Sequence, residues 1–150
     1  MNEFERLLAF MKISYHNLTT LHRHLTNDVG WFGNHEKLGE WYDEIGEQID
    51  DLAEIGLSLG YTEPSIKDAV LEFSGDVLAS ESRDLKASFK EAHGIMRAVA
   101  GMMKAAETVV PPDVQNKLQE YEYDWNKTAN YMLAQALGKV DKKPIQEDED

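Results

Sequence analysis

Asp50 and Glu54 stand four residues apart in the helix-favouring stretch from Glu44 to Glu54. Residues i and i+4 stack on one helix face, so the two carboxylates can converge on a single cation. His35 precedes them by about four helical turns. Taken alone, two acids at this spacing also describe an ordinary solvated helix face. The elements that carry them decide between the two readings.

A chain of 150 residues with 42% apolar side chains fits one domain with a core of its own. It contains no cysteine, which removes disulfides, thiolate metal sites and thiol nucleophiles and leaves nitrogen and oxygen as the available ligands. The opening Met1-Asn2-Glu3-Phe4-Glu5-Arg6 is not a secretory signal, and no apolar run is long enough to span a bilayer, so a cytoplasmic protein is expected. A formal net charge of -13 opposes phosphate backbones, and direct DNA binding is not expected.

Breakers are few: the four prolines are Pro64, Pro111, Pro112 and Pro144, and the intervals between them have helical period. Residues 2 to 27 carry Phe4, Leu8, Met11, Tyr15, Leu18 and Leu25 on one seam, with His22 among them. After a turn at Asn27-Asp28-Val29-Gly30, Asn34 is placed to cap a second helix bearing Leu38, Tyr42, Ile45, Ile49, Leu52 and Leu59, ended by Gly60. Pro64-Ser65 opens a short helix with Ile66, Ala69, Val70 and Phe73 on one side. A third long helix, 82 to 108, aligns Leu85, Phe89, Ala92, Ile95, Val99, Met102 and Ala106. The fourth begins at Pro112-Asp113 and aligns Val114, Leu118, Tyr121, Trp125, Thr128 and Met132.

Four long helices joined by short, long and short connections describe an all-α, ferritin-like four-helix bundle, up-down-down-up, with a small helix in the long crossover. The domain spans 1–138. Residues 139–150, ending in five residues of which four are acidic, are expected to be a disordered acidic tail. The Glu-x-x-His pattern that holds paired metals inside many such bundles does not occur, so an intra-bundle di-iron site is not supported.

Blocks distributed over most of the chain resemble the Dps family, the starvation-induced DNA-protecting mini-ferritins. They are Trp31-Phe32, His35-Glu36-Lys37-Leu38, Tyr42, Gly46-Glu47-Gln48-Ile49-Asp50, Ala53-Glu54, Leu59-Gly60 and Pro64-Ser65-Ile66-Lys67-Asp68. Tyr131-Met132-Leu133-Ala134-Gln135-Ala136-Leu137-Gly138 is similar to that family's fourth-helix ending. The resemblance implies a hollow homo-oligomer of twelve subunits in which iron, Fe(II) and then Fe(III), is handled between two subunits. One subunit gives histidines and an acid, and the other gives an Asp-x-x-x-Glu pair.

Carried over residue by residue, His35, Asp50 and Glu54 match that ligand set. The family's spacing from the first-helix histidine lands on Arg23, flanked by His22 and His24. Residues two apart on a helix point about 200° from each other, so at most one of these histidines faces the site. His24 is taken as the ligand, with His22 as its alternative, since His22 already lies on the apolar seam. Gly39 stands where the family usually has an acid four residues after the second-helix histidine, and glycine offers no ligand.

Imidazole and carboxylate together suit Fe(II) and tolerate Fe(III). The resemblance therefore implies Fe(II) binding, oxidation by hydrogen peroxide and storage of ferric iron. The rival expectation is a ferritin-like interaction or structural protein whose metal site is degenerate and inactive. A magnesium-dependent nucleotide pyrophosphohydrolase would also cluster acids on paired helices, as at Glu40, Asp43, Glu44 and Glu47. Its second cluster, Glu81 and Asp84, is distant in sequence, and no phosphate-binding lysine pattern accompanies it.

Overall fold

The computed structural model describes residues 1–26 and 29–138; the expected acidic tail, and Asn27 and Asp28 of the first turn, lie outside the described residues. Its helices are α1 Glu3–His24, α2 Trp31–Ser58, α3 Ile66–Phe73, α4 Leu85–Ala106 and α5 Pro112–Lys127, the last running on through a wide turn, Thr128–Leu133, into α6 Ala134–Ala136. No strand is present among the described residues, and none of their helices is long and apolar enough to cross a membrane.

Helix α1 is the hub and packs against α2, α3 and α4. It starts with a capping box in which the Asn2 side chain accepts from the Glu5 amide while the Glu5 carboxylate accepts from the Asn2 amide. Phe4, Leu7, Leu8, Met11, Ile13, Leu18 and Leu21 are all buried, so this helix is apolar well beyond a single stripe.

Three glycines of α2 admit α1 rings in steady antiparallel register. A Cβ at Gly39, Gly46 or Gly56 would come within 3.0 Å of His22, 3.1 Å of Tyr15 or 2.9 Å of Phe4. Close approach without a Cβ lets each ring lie against the α2 backbone.

Helix α2 ends in a full Schellman arrangement. Gly60 takes φ +83°, the Gly60 amide donates to the Leu57 carbonyl at 3.1 Å, and the Tyr61 amide donates to the Gly56 carbonyl at 2.9 Å. Buried Asn17 of α1 then pins the crossover: its amide nitrogen donates to the Asp76 carbonyl at 2.8 Å and its oxygen accepts from the Leu78 amide at 3.0 Å. A buried side-chain amide thus serves backbone groups that no helix or sheet satisfies.

Orientation follows from the long-range pairs. Trp125 meets Gln48 and Tyr121 meets Asp51, so α5 runs antiparallel to α2. The start of α4 lies beside the end of α1 through a bridge between Leu25 and Arg83. The order is up, down, down, up, as the connection lengths predict.

Several local expectations are corrected. Helix α1 stops at His24 rather than continuing to residue 27, because the Thr26 amide donates to the Arg83 carbonyl and the Arg83 amide to the His24 carbonyl. Helix α2 begins at Trp31, capped by Gly30 and not by Asn34. On α3 only Ala69 and Phe73 are buried; Ile66 and Val70 face outward in the single chain. In the last helix, the wide π-type turn inserts one extra residue per turn and moves the buried stripe from Met132 to Ala129 and Leu133.

Candidate metal centre

The end of α1 and the first turns of α2 bring His22 against His35. Their rings stack with centroids 3.7 Å apart and planes 19° apart. Each ring Nδ1 lies on the other residue's backbone oxygen, His22 Nδ1 at 2.6 Å from the His35 carbonyl and His35 Nδ1 at 2.7 Å from the His22 carbonyl. A carbonyl only accepts, so both Nδ1 atoms carry the proton and both Nε2 atoms keep a lone pair when the rings are neutral.

The reason for this pairing lies in how α1 ends. The Thr26 amide, which would continue the helix by donating to the His22 carbonyl, is drawn instead to Arg83. That leaves the His22 carbonyl among the orphan acceptors of a helix C-terminus, and the His35 ring satisfies it. Trp31 lies on the other face of His35, centroids 4.3 Å apart and planes 11° apart, with its indole N–H donating to the Leu25 carbonyl at 2.7 Å. The Tyr42 ring meets His22 edge-on at 5.3 Å. Burial pushes the His22 pKa down against the opposing pull of its bond to the His35 carbonyl, which favours the neutral ring.

His24 points elsewhere: its Nδ1 lies 2.8 Å from the Thr20 carbonyl, back along its own helix. The residue brought to His35 is therefore His22. Asp50 and Glu54 lie far along α2, exposed, and their carboxylates make neither a hydrogen bond nor an ion pair with any described residue. Fifteen residues of helix separate Asp50 from His35, about 22 Å. Among the described residues, no group of three or more His, Asp or Glu within the chain is placed to hold a metal. Within one chain the imidazole pair and the acid pair thus stand well apart along the bundle.

Asp51, the neighbour of Asp50, has a different task. It accepts from the Tyr121 hydroxyl at 2.6 Å and faces Lys117 at 3.8 Å, tying α2 to α5. Burial and that bond push the Tyr121 pKa up, so the hydroxyl stays a donor. With Asp51 turned to α5, Asp50 is left on the outer side.

The face of α2 toward α5 is also acidic. Half-buried Glu44 has its pKa raised, first by burial and then by Asp124. A carboxyl whose folded pKa lies above its unfolded one loses stability as pH rises through that interval, and the loss persists at neutrality. Glu44→Gln is therefore expected to raise the thermal midpoint at pH 7, with the gain fading as pH falls and gone by about pH 3, where the unfolded carboxyl also holds its proton. A midpoint unchanged between the two chains at pH 7 would refute this.

The edge-on contact of Tyr42 with His22 and the close fit of the His22 ring on Gly39 are features of this centre that sequence reasoning did not give. A signal existed in Trp31, His35 and Gly39, spaced four apart on one helix face and so able to make one continuous surface.

A family model described as a ferritin-like domain matches residues 1–142. Among solved structures, Dps from Staphylococcus aureus is similar with a TM-score of 0.73 at 16% sequence identity, over 90% of this chain and 92% of that one. At this identity the likeness speaks for the fold. No curated protein matches the chain in sequence. On the evidence of the bundle, its crossover and the match over nearly its whole length, the chain belongs to the ferritin-like domain family, with the fold of Dps.

Proposed function

We propose that this protein is a Dps-like mini-ferritin that takes Fe(II) as its substrate between subunits and stores it as ferric iron. His22 and His35 of one subunit and Asp50 and Glu54 of another form the binding set, with His22, the alternative to His24 in the sequence reading, as the first-helix ligand. The observation that carries the reading is the separation of the half-sites on one rigid helix: neither is complete alone, and both are open to a neighbour. Exposed Val29 and Phe32 beside the histidine pair suit coverage by a second copy. The charge of -13 favours collection of cations and opposes contact with DNA.

Two Fe(II) ions supply the two electrons that convert hydrogen peroxide, with two protons, to two waters, so no hydroxyl radical need be released. The residues' part is to hold the ions side by side through neutral imidazole and carboxylate while leaving positions open to peroxide. Gel filtration is expected to give a mass near twelve times 17.1 kDa. Adding Fe(II) anaerobically to the apo-protein and then peroxide is expected to give ferric absorbance faster than buffer alone, and His35→Ala should fall to the blank. Assembly without any rate above the blank would instead support a ferritin-like structural protein without redox work, a reading that the lack of an acid at Gly39 favours.

A further inference from the structure

We infer that Gly39 is the positioning residue for His22, and that, by supplying no carboxylate of its own, it leaves the histidine half-site with imidazole donors alone and so sets its metal preference. A Cβ on Gly39 would lie 3.0 Å from His22 Cε1 and 3.2 Å from Nδ1. The ring cannot simply yield. Its Nδ1 is bonded to the His35 carbonyl, its face lies on His35, and Tyr42 meets it edge-on.

The same helix makes room for Tyr15 at Gly46 and for Phe4 at Gly56, which are packing notches. Only the notch at Gly39 receives a ring with a metal-ligating nitrogen. A Cβ there would require the His22 ring to give by a few tenths of an ångström, against the stack and the two reciprocal bonds that hold it. The glycine is thus a seat and not a gap.

The half-site so built is two Nδ1-protonated imidazoles, each with Nε2 as its ligating atom. Such donors suit Co(II), Zn(II) and Fe(II) over oxygen-preferring Mn(II) and Mg(II). This preference rests on the iron-handling reading above, whereas the seating of His22 does not.

The test separates the two. Thermal midpoints of the metal-free protein are compared for wild type, Gly39→Ala, His22→Ala and the double variant at equal concentration. Alanine in place of a mid-helix glycine ordinarily stabilises. Gly39→Ala is expected to lower the midpoint in the wild-type background and raise it in the His22→Ala background, where the notch is empty. A change of the same sign in both overturns the seat. A Gly39→Ala chain too unstable to isolate, beside a double variant that folds, is the same supporting result.

Co(II) binding is then followed by visible absorption on the assembled apo-protein. Gly39→Ala is expected to lose about 10- to 100-fold in affinity, as does disturbing a group that orients a ligand, and the double variant should lose no more than His22→Ala alone. Wild type should prefer Co(II) to Mn(II), and His22→Ala with Gly39→Asp should narrow that preference. Sign reversal in the midpoints with no Co(II) uptake by wild type would confirm the seat, refute the metal preference and sink the iron-handling reading with it. Uptake with equal affinity for both metals would refute the preference alone.

Discussion

Trp125→Ala is expected to cost about 3–5 kcal/mol of stability, the range for removing a large aromatic from a packed core. Trp125 is among the largest fully buried side chains, and its indole N–H donates to Gln48 Oε1 at 2.7 Å. Truncation therefore does two things. It opens a cavity between α2 and α5, and it leaves the buried Gln48 carbonyl without its donor, which costs about 1–3 kcal/mol where water cannot replace it. Trp125→Phe separates these effects, since it restores most of the apolar volume and loses only the bond. Denaturant unfolding at matched protein concentration should rank wild type, Trp125→Phe and Trp125→Ala in falling stability. Equal midpoints for the two variants would mean that the bond and not the volume dominates.

The consequence reaches the proposed site because Gln48 lies on α2 two residues before Asp50, on the stretch whose orientation decides where the acid pair points. Gln48 and Asp51 bind α5 through Trp125 and Tyr121, so Asp50 and Glu54 are directed outward by what their neighbours hold. Loss of Trp125 should loosen α2 without touching Asp50 or Glu54.

The four long helices and the small crossover helix were legible in the chain because their apolar residues repeat at helical period, and α2's end because Gly60 supplies a positive φ at low cost. What could not be read depends on contacts distant in sequence. The end of α1 is set by Arg83, nearly sixty residues away, and Leu25 and Thr26 carry no local stop signal. The π-type turn in the last helix changes the phase of the buried stripe by one residue, and a periodic reading carried through Thr128 necessarily points Met132 inward. Which of His22 and His24 meets His35 could not be read from spacing, because it turns on the notch at Gly39 that admits the His22 ring. A missing side chain reads in one dimension as a lost ligand, and only packing shows what fills the space.

Complementation between two inactive chains is the test with the largest effect on the proposed activity. His35→Ala removes one half-site and Asp50→Ala with Glu54→Ala removes the other, so each homo-oligomer is expected to oxidise Fe(II) no faster than buffer. When the two are unfolded together, mixed in equal amounts and reassembled, a site works only if its histidines come from the acid-deficient chain and its acids from the histidine-deficient one. Random pairing across symmetric contacts makes that about a quarter of the sites, and activity should return to about that fraction of wild type. The separation of about 22 Å between His35 and Asp50 along one helix is what demands this result, since no rotamer change closes such a gap within a chain. Mass spectrometry would establish that both chains occupy one assembly. Mixed assemblies that stay at the blank rate, or either variant alone turning over like wild type, would refute the shared site.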